Sequence, residues 1–191
     1  EKQSKDELLS LLEKYWREDS FEYRLRADEF KKQGKEVLSD YFQFISENPL
    51  NVVGVEKHFS YVMKDLNVNI SGKIDRIDKV GDSLNIIDYK TSRKKEKAKN
   101  NIQLALYIQA INNGALSDIP GSAGNAILHY LRFGDDPISS HQFSDSELEE
   151  YSEKIRKVAE GIRSKTFETK KSDFNCKNCD YKEFLCPAWE E

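Results

Sequence analysis

The spacing of apolar residues changes several times along the chain, and each change marks an element. Leu8, Leu11, Leu12 and Tyr15 recur at helical spacing behind Ser4, which predicts a first helix capped by that serine. A longer helical stripe runs from about residue 21 to 45 through Phe30, Val37, Leu38, Tyr41 and Ile45, and Asn48-Pro49-Leu50 ends it. Residues 51–63, NVVGVEKHFSYVM, are rich in β-branched and aromatic side chains and read as a strand. Two further strands flank Gly81-Asp82. A helix follows over about 94–113, apolar at Ile102, Ala105, Leu106 and Ile108. LSDIPGSAG (116–124) has turn chemistry, NAILHYLRF (125–133) reads as a strand, and His141-Gln142-Phe143 is a candidate edge strand. Ser144 or Ser146 opens a last helix, and the irregular tail holds all three cysteines. This order predicts an α/β fold, a mixed central β-sheet flanked by helices. Its expected parts are an N-terminal helical segment (1–50), a core (51–168) and a cysteine-containing tail (169–191).

Composition narrows the picture only a little. At 191 residues the chain can bury one core, or one core with a small appendage, and its aromatic, Leu and Ile content argues against disorder. A net charge of −4 argues against non-specific nucleic-acid binding. Residues 93–99 (RKKEKAK) and 165–171 (KTFETKK) are nevertheless basic; such runs are more often solvated faces than sites. No apolar run reaches membrane-spanning length and no signal peptide opens the chain, so a cytoplasmic protein with no membrane partner is expected. The chain starts at Glu1 and has Met63 as its only methionine, which suggests a piece of a longer polypeptide.

The chemistry is concentrated in residues 72–92, GKIDRIDKVGDSLNIIDYKTS. Gly81-Asp82 makes a two-residue hairpin turn, with glycine supplying positive φ at the first central position. Pairing then runs Val80 with Ser83, Ile77 with Ile86, and Asp75 with Asp88, and Lys90 shares the face of Asp88. Two such charges about 5 Å apart repel by roughly 3 kcal/mol at an effective dielectric near 20. Favourable cross-strand pairs return only about 0.2–1 kcal/mol. A divalent ion between the carboxylates removes the conflict, and paired carboxylates are hard ligands suited to Mg²⁺ or Mn²⁺. An exposed hairpin with its charges in water is the bland alternative. The same register sets Lys73 against Lys90, which counts against it.

GKIDRID followed by IIDYKTS resembles the core of the PD-(D/E)XK nucleases, a restriction-endonuclease-like fold, and specifically their RecB-type branch. Asp75 matches the first acid and Asp88-Tyr89-Lys90 the (D/E)-x-K element. Gln103 and Tyr107 match a Q-x-x-x-Y motif, and VEKHF, with Glu56, is similar to the V-E-x-x-F strand. The resemblance implies that Asp75, Asp88 and the Tyr89 backbone carbonyl hold Mg²⁺ or Mn²⁺. It implies that Lys90 orients or deprotonates the attacking water, that Gln103 and Tyr107 contact the strand being cut, and that Glu56 lies at the edge of the site. It further implies a DNA nuclease module of a UvrD/Rep-like or AddB-like helicase–nuclease in break repair, with a helicase domain or a separate helicase chain as partner. A stand-alone CRISPR-adaptation-type exonuclease and a catalytically silent nucleic-acid-binding module are the alternatives. The branch carries a histidine in a preceding helix, whereas no histidine occurs here before His58.

Cys176, Cys179 and Cys186 form a C-x-x-C with a third thiol close by, a spacing that suggests metal ligation rather than a disulfide. Three thiolates leave a tetrahedral site one ligand short. The tail is similar to that of iron–sulfur members of the RecB-type branch, which implies a [4Fe–4S] cluster whose fourth cysteine would precede Glu1. A zinc site completed by a histidine and a vestigial loop remain the alternatives.

Overall fold

Ser4 caps the first helix of the computed structural model, which describes residues 4–182 and 185–188. Helix α1 spans Lys5–Tyr15; Glu7 N–H donates to Ser4 Oγ at 3.2 Å and Ser4 N–H to the Glu7 carboxylate at 2.8 Å, a reciprocal cap. Helix α2, Arg24–Glu47, starts three residues later than the apolar stripe suggests. Phe21 lies outside it, stacked on Trp16 at 5.4 Å and tilted against Phe30 at 5.6 Å, so that its hydrophobicity belongs to the α1–α2 junction. Asn48 ends α2 with both its N–H and its side-chain amide on the Phe44 carbonyl.

Five strands follow in a mixed sheet whose spatial order is the chain order: β1 (Val52–Met63), β2 (Val68–Val80), β3 (Ser83–Lys90), β4 (Ser122–Tyr130) and β5 (Ile138–His141). β3 and β4 are parallel and the other neighbours antiparallel. A parallel pair needs a crossover. Helix α3, Ile102–Asn112, supplies it and is buried nearly all round, from Leu104 to Ile111 with Leu106 half-exposed. Ile74, Ile77, Leu84, Ile86, Leu104 and Leu128 are fully buried and form the centre of the core. The polar Gln109 of α3 is satisfied there, accepting from Tyr61 Oη at 3.0 Å and donating to the Leu148 carbonyl at 3.0 Å.

Two boundaries differ from expectation. Residues 91–101 are not helical apart from a 3₁₀ turn at Ala98–Asn100, and Asn101 caps α3 by accepting from Leu104 N–H. The edge strand is Ile138–His141, because turns closed by Phe133 N–H on Tyr130 and Asp136 N–H on Phe133 return the chain to the sheet just after Pro137.

The chain divides into two compact units, Glu1–Leu148 and Glu149–Glu191. Helix α4, Asp145–Arg163, begins at a Ser144–Glu147 capping box. In the second unit the one-turn helix α5, Asp173–Cys176, is capped by Ser172. The three cysteines are free thiols, Cys179 exposed and the others half-buried. Among the described residues no helix is long and apolar enough to cross a membrane.

Candidate active site

The β2–β3 hairpin forms in the expected register, Val80 with Ser83 and Ile77 with Ile86, around Gly81 at φ +59°. The regular ladder reaches Arg76↔Ile87 and stops one position short of Asp75 and Asp88. There Asp75 Oδ2 accepts from the Tyr89 backbone N–H at 3.0 Å, binding β3 between Asp88 and Lys90. Asp88 is buried. Lys90 Nζ lies 2.6 Å from the buried Asp88 Oδ2, a close ion pair. Burial pushes the Asp88 carboxyl above its usual range; Lys90 opposes the shift and Asp75 adds to it.

Across the sheet, the pairs Val55↔Arg76 and Lys57↔Ile74 bracket Glu56 opposite Asp75. Glu56 is at φ +49°, a costly conformation for a residue with a side chain. Its exposed carboxylate is ion-paired with Lys73. The lysine conflict of the hairpin register is thereby resolved: Lys73 turns to Glu56, and Lys90 to Asp88 and Gln103. Lys90 donates to Gln103 Oε1 at 3.1 Å, Gln103 Nε2 donates to Tyr107 Oη at 2.5 Å, and Tyr107 Oη donates to the Lys73 carbonyl at 2.8 Å. This chain of bonds fixes α3 to both strands at the carboxylates. Burial raises the Tyr107 pKa, so the phenol stays protonated and keeps that donor role.

A second polar group was not evident from the sequence motifs. Arg76 Nη1 donates to Tyr89 Oη at 2.5 Å and Tyr41 Oη at 3.2 Å, the two phenols bond each other at 2.8 Å, and Arg76 Nε lies 3.0 Å from Asp78 Oδ1. Arg76 and Asp78 are buried. The ring between Asp88 and Lys90 is thus clamped to α2. The available signal was a charged pair, Arg76 and Asp78, alternating within a strand flanked by isoleucines. A cleft of about 1030 Å³, lined by α1, α2, Val52 and Val55, opens at Asp75, Arg76 and Tyr89.

Donor chemistry at the hairpin suits a hard divalent cation: the carboxylates of Asp75 and Asp88, the second of them buried. Among the described residues no group of three or more His, Cys, Asp or Glu side chains lies close enough to hold a metal ion. At the hairpin Glu56 is held aside by Lys73, while Asp75 bonds the Tyr89 N–H and Asp88 pairs with Lys90. The thiols of Cys176, Cys179 and Cys186 do not converge, and the iron–sulfur expectation gains no support from their placement.

The family model described as PD-(D/E)XK nuclease superfamily matches residues 1–187. The chain is similar to one of the subunits of an ATP-dependent helicase/deoxyribonuclease of Streptococcus mutans serotype c, 34% identical over 124 residues, 59% of this chain and 11% of that protein. The protein of the same name in Streptococcus agalactiae serotype Ia is 32% identical over 118 residues, 56% of this chain and 11% of its own length. The chain thus spans about a tenth of the curated relatives it matches. The solved structure of SSO0001 aligns with 100% of this chain and 90% of its own at a TM-score of 0.45 and 17% identity.

Proposed function

This chain belongs to the PD-(D/E)XK nuclease superfamily, and from that premise we propose that it is a Mg²⁺- or Mn²⁺-dependent deoxyribonuclease. The observation that carries the reading is the buried Asp88 carboxylate, with the Lys90 ammonium 2.6 Å away and Asp75 bound to the Tyr89 N–H beside it. Lys90 offers one positive charge to two neighbouring carboxylates, so burying Asp88 near Asp75 stays costly unless a further cation completes the site.

Asp75, Asp88 and the Tyr89 carbonyl are the residues that would hold the ion. When bound, a divalent ion supplies Lewis acidity toward a phosphodiester and lowers the pKa of water. Lys90 orients the attacking water and neutralises charge that develops on the phosphoryl oxygens. Its position is set on one side by Asp88 and on the other by Gln103. Gln103 and Tyr107 fix the helix face beside the strand to be cut, and Glu56 sits at the rim. The Tyr89 N–H bond to Asp75 and the Tyr89 phenol bonds to Tyr41 and Arg76 hold the metal-binding peptide from both sides, which limits reorganisation during the reaction.

The wider role follows the relatives' names: a nuclease module of a helicase–nuclease, acting on DNA ends beside a helicase domain. The test is incubation of end-labelled single- and double-stranded DNA with Mg²⁺, Mn²⁺ or EDTA. Cleavage is expected with either ion, none with EDTA, and none from Asp88→Ala or Lys90→Ala. An Asp88→Ala protein that cuts at the wild-type rate, contaminating nuclease excluded, overturns the assignment.

A further inference from the structure

We propose that residues 91–101, between β3 and α3, form a strap that holds the sugar–phosphate backbone of a nucleic acid strand beside the Asp75–Asp88–Lys90 site, with Arg93, Lys94 and Lys97 as its phosphate contacts. The inference rests on the nuclease reading for the strand's presence at the site. Its own observations are separate.

The segment has little regular structure, yet it is held in place. Tyr130 Oη accepts from Glu96 N–H at 2.6 Å and donates to the Glu96 carbonyl at 3.2 Å. Ala98 is buried, and its N–H donates to Ser139 Oγ at 2.9 Å. Lys95 Nζ bonds the Asp136 carboxylate and carbonyl, each at 2.6 Å, and lies 5.9 and 5.8 Å from the Tyr130 and Phe133 ring centres. Ser92 Oγ donates to the Lys94 carbonyl at 2.9 Å, tightening the bend. Fixing a residue's backbone costs about 1–2 kcal/mol. A mere linker gains nothing from that cost, and here side chains from β4, β5 and the turn joining them meet it.

The pinning sorts the charges. Lys95 and Glu96 are the anchored positions, while Arg93, Lys94 and Lys97 are exposed, and among the described residues none of these three is in an ion pair. Within the segment these three face one carboxylate, that of Glu96, so on a chain of net charge −4 the strap is still a local reversal of sign. Three residues of chain reach at most about 11 Å, so Arg93 stands within that distance of Lys90. Phosphates rise about 3.4 Å apart along one strand of a duplex. A strand with one phosphate at Lys90 therefore places its near neighbours within reach of the strap. The anchored backbone sets where those side chains emerge, which a flexible basic run does not do.

The test is binding of a fluorescent single-stranded oligonucleotide in EDTA, where the proposed hydrolysis is stopped, from about 50 to 200 mM KCl. Each phosphate contact on single strands contributes about 0.7 to the slope of log K against log salt. The triple variant Arg93→Gln/Lys94→Gln/Lys97→Gln is expected to lower that slope by about 2 and to weaken low-salt affinity tenfold or more. The charge-keeping variant Arg93→Lys/Lys94→Arg/Lys97→Arg is expected to bind like the wild type. With Mn²⁺, the glutamine variant should cut with raised KM and unchanged kcat. Wild-type slope and affinity in the glutamine variant overturn the strap, as does an equal loss in the charge-keeping one. A wild-type chain that binds with the expected salt dependence but never cuts would overturn the nuclease reading and keep this one.

Discussion

Asp88 concentrates the energetics of the site in one residue. Its folded-state pKa lies above the unfolded value, so between the two the folded chain binds the extra proton. Stability without metal therefore falls as pH rises through that window and stays lower at neutral pH. Asp88→Asn is expected to melt at or above the wild type at pH 7 in EDTA, and to lose less stability between acid and neutral pH; thermal melts across that range check it. Lys90→Ala acts oppositely, leaving the buried carboxylate without its cation. Lys90 is 29% exposed in its side chain, which moderates the cost to about 2 kcal/mol. A divalent ion bound as proposed should reverse the balance at Asp88. Mn²⁺ at a hundredfold excess over its dissociation constant should stabilise the wild type by about 2.7 kcal/mol. Asp75→Asn/Asp88→Asn should show no such shift, and equal shifts in both proteins would place the ion elsewhere.

At the scale of elements, two seams hold the hairpin. On one, β4 presents His129 to α2 and β3, its ring 5.5 Å from Tyr41, 4.7 Å from Phe44 and 5.5 Å from Tyr89. Burial, reinforced by Arg76, lowers its pKa to about 4. The unfolded chain binds the proton first, so this contribution is full above pH 6.5 and is lost as pH falls toward 4. The loss from this residue is about 3 kcal/mol, taking 1.36 kcal/mol per unit. His129→Phe should flatten that limb of the acid-unfolding curve; an unchanged slope would mean that other groups govern it. At the other seam, Phe59 of β1 lies over Gly72 of β2 and meets Tyr107 of α3 edge-on at 5.6 Å. A Cβ at Gly72 would stand 2.8 Å from the Phe59 ring. Gly72→Ala must push that buried ring into Tyr107, with an expected loss of about 1–3 kcal/mol in denaturant unfolding. Cleavage should fall with it, since Tyr107 supports Gln103 and Lys90.

For the whole molecule, the groups of the proposed site, from Glu56 to Tyr107, all lie in the unit Glu1–Leu148, and the cysteines in Glu149–Glu191. Replacing Cys176, Cys179 and Cys186 by serine should leave the Mn²⁺-induced shift in melting temperature unchanged. A lost shift would tie the tail to the carboxylate site. The tail's chemistry was hard to read for a separate reason. C-x-x-C spacing reports that thiols are near one another in sequence, and ligation needs them to converge in space.

The hairpin register was readable from the residues alone, because a two-residue turn and the period of two leave one pairing in which Ile77 meets Ile86. The Ser4 cap was readable because its bond spans three residues, and the structure decided for Ser144 over Ser146 at the last helix. What the tertiary structure decided is non-local. The lysine-rich, helix-favouring composition of RKKEKAK was no guide to its conformation. Tyr130 and Ser139, 34 and 41 residues onward, take the Glu96 and Ala98 N–H groups and hold the segment out of the helix. Glu56 is set aside by Lys73 because β1 pairs with β2 in a register that neither strand shows alone. Tyr41 accepts from Arg76 across 35 residues, and the two together clamp Tyr89. Local spacing determines which groups can share a face. Only packing between distant segments determines which partners they find, as Lys73 finds Glu56 while Lys90 finds Asp88 and Gln103.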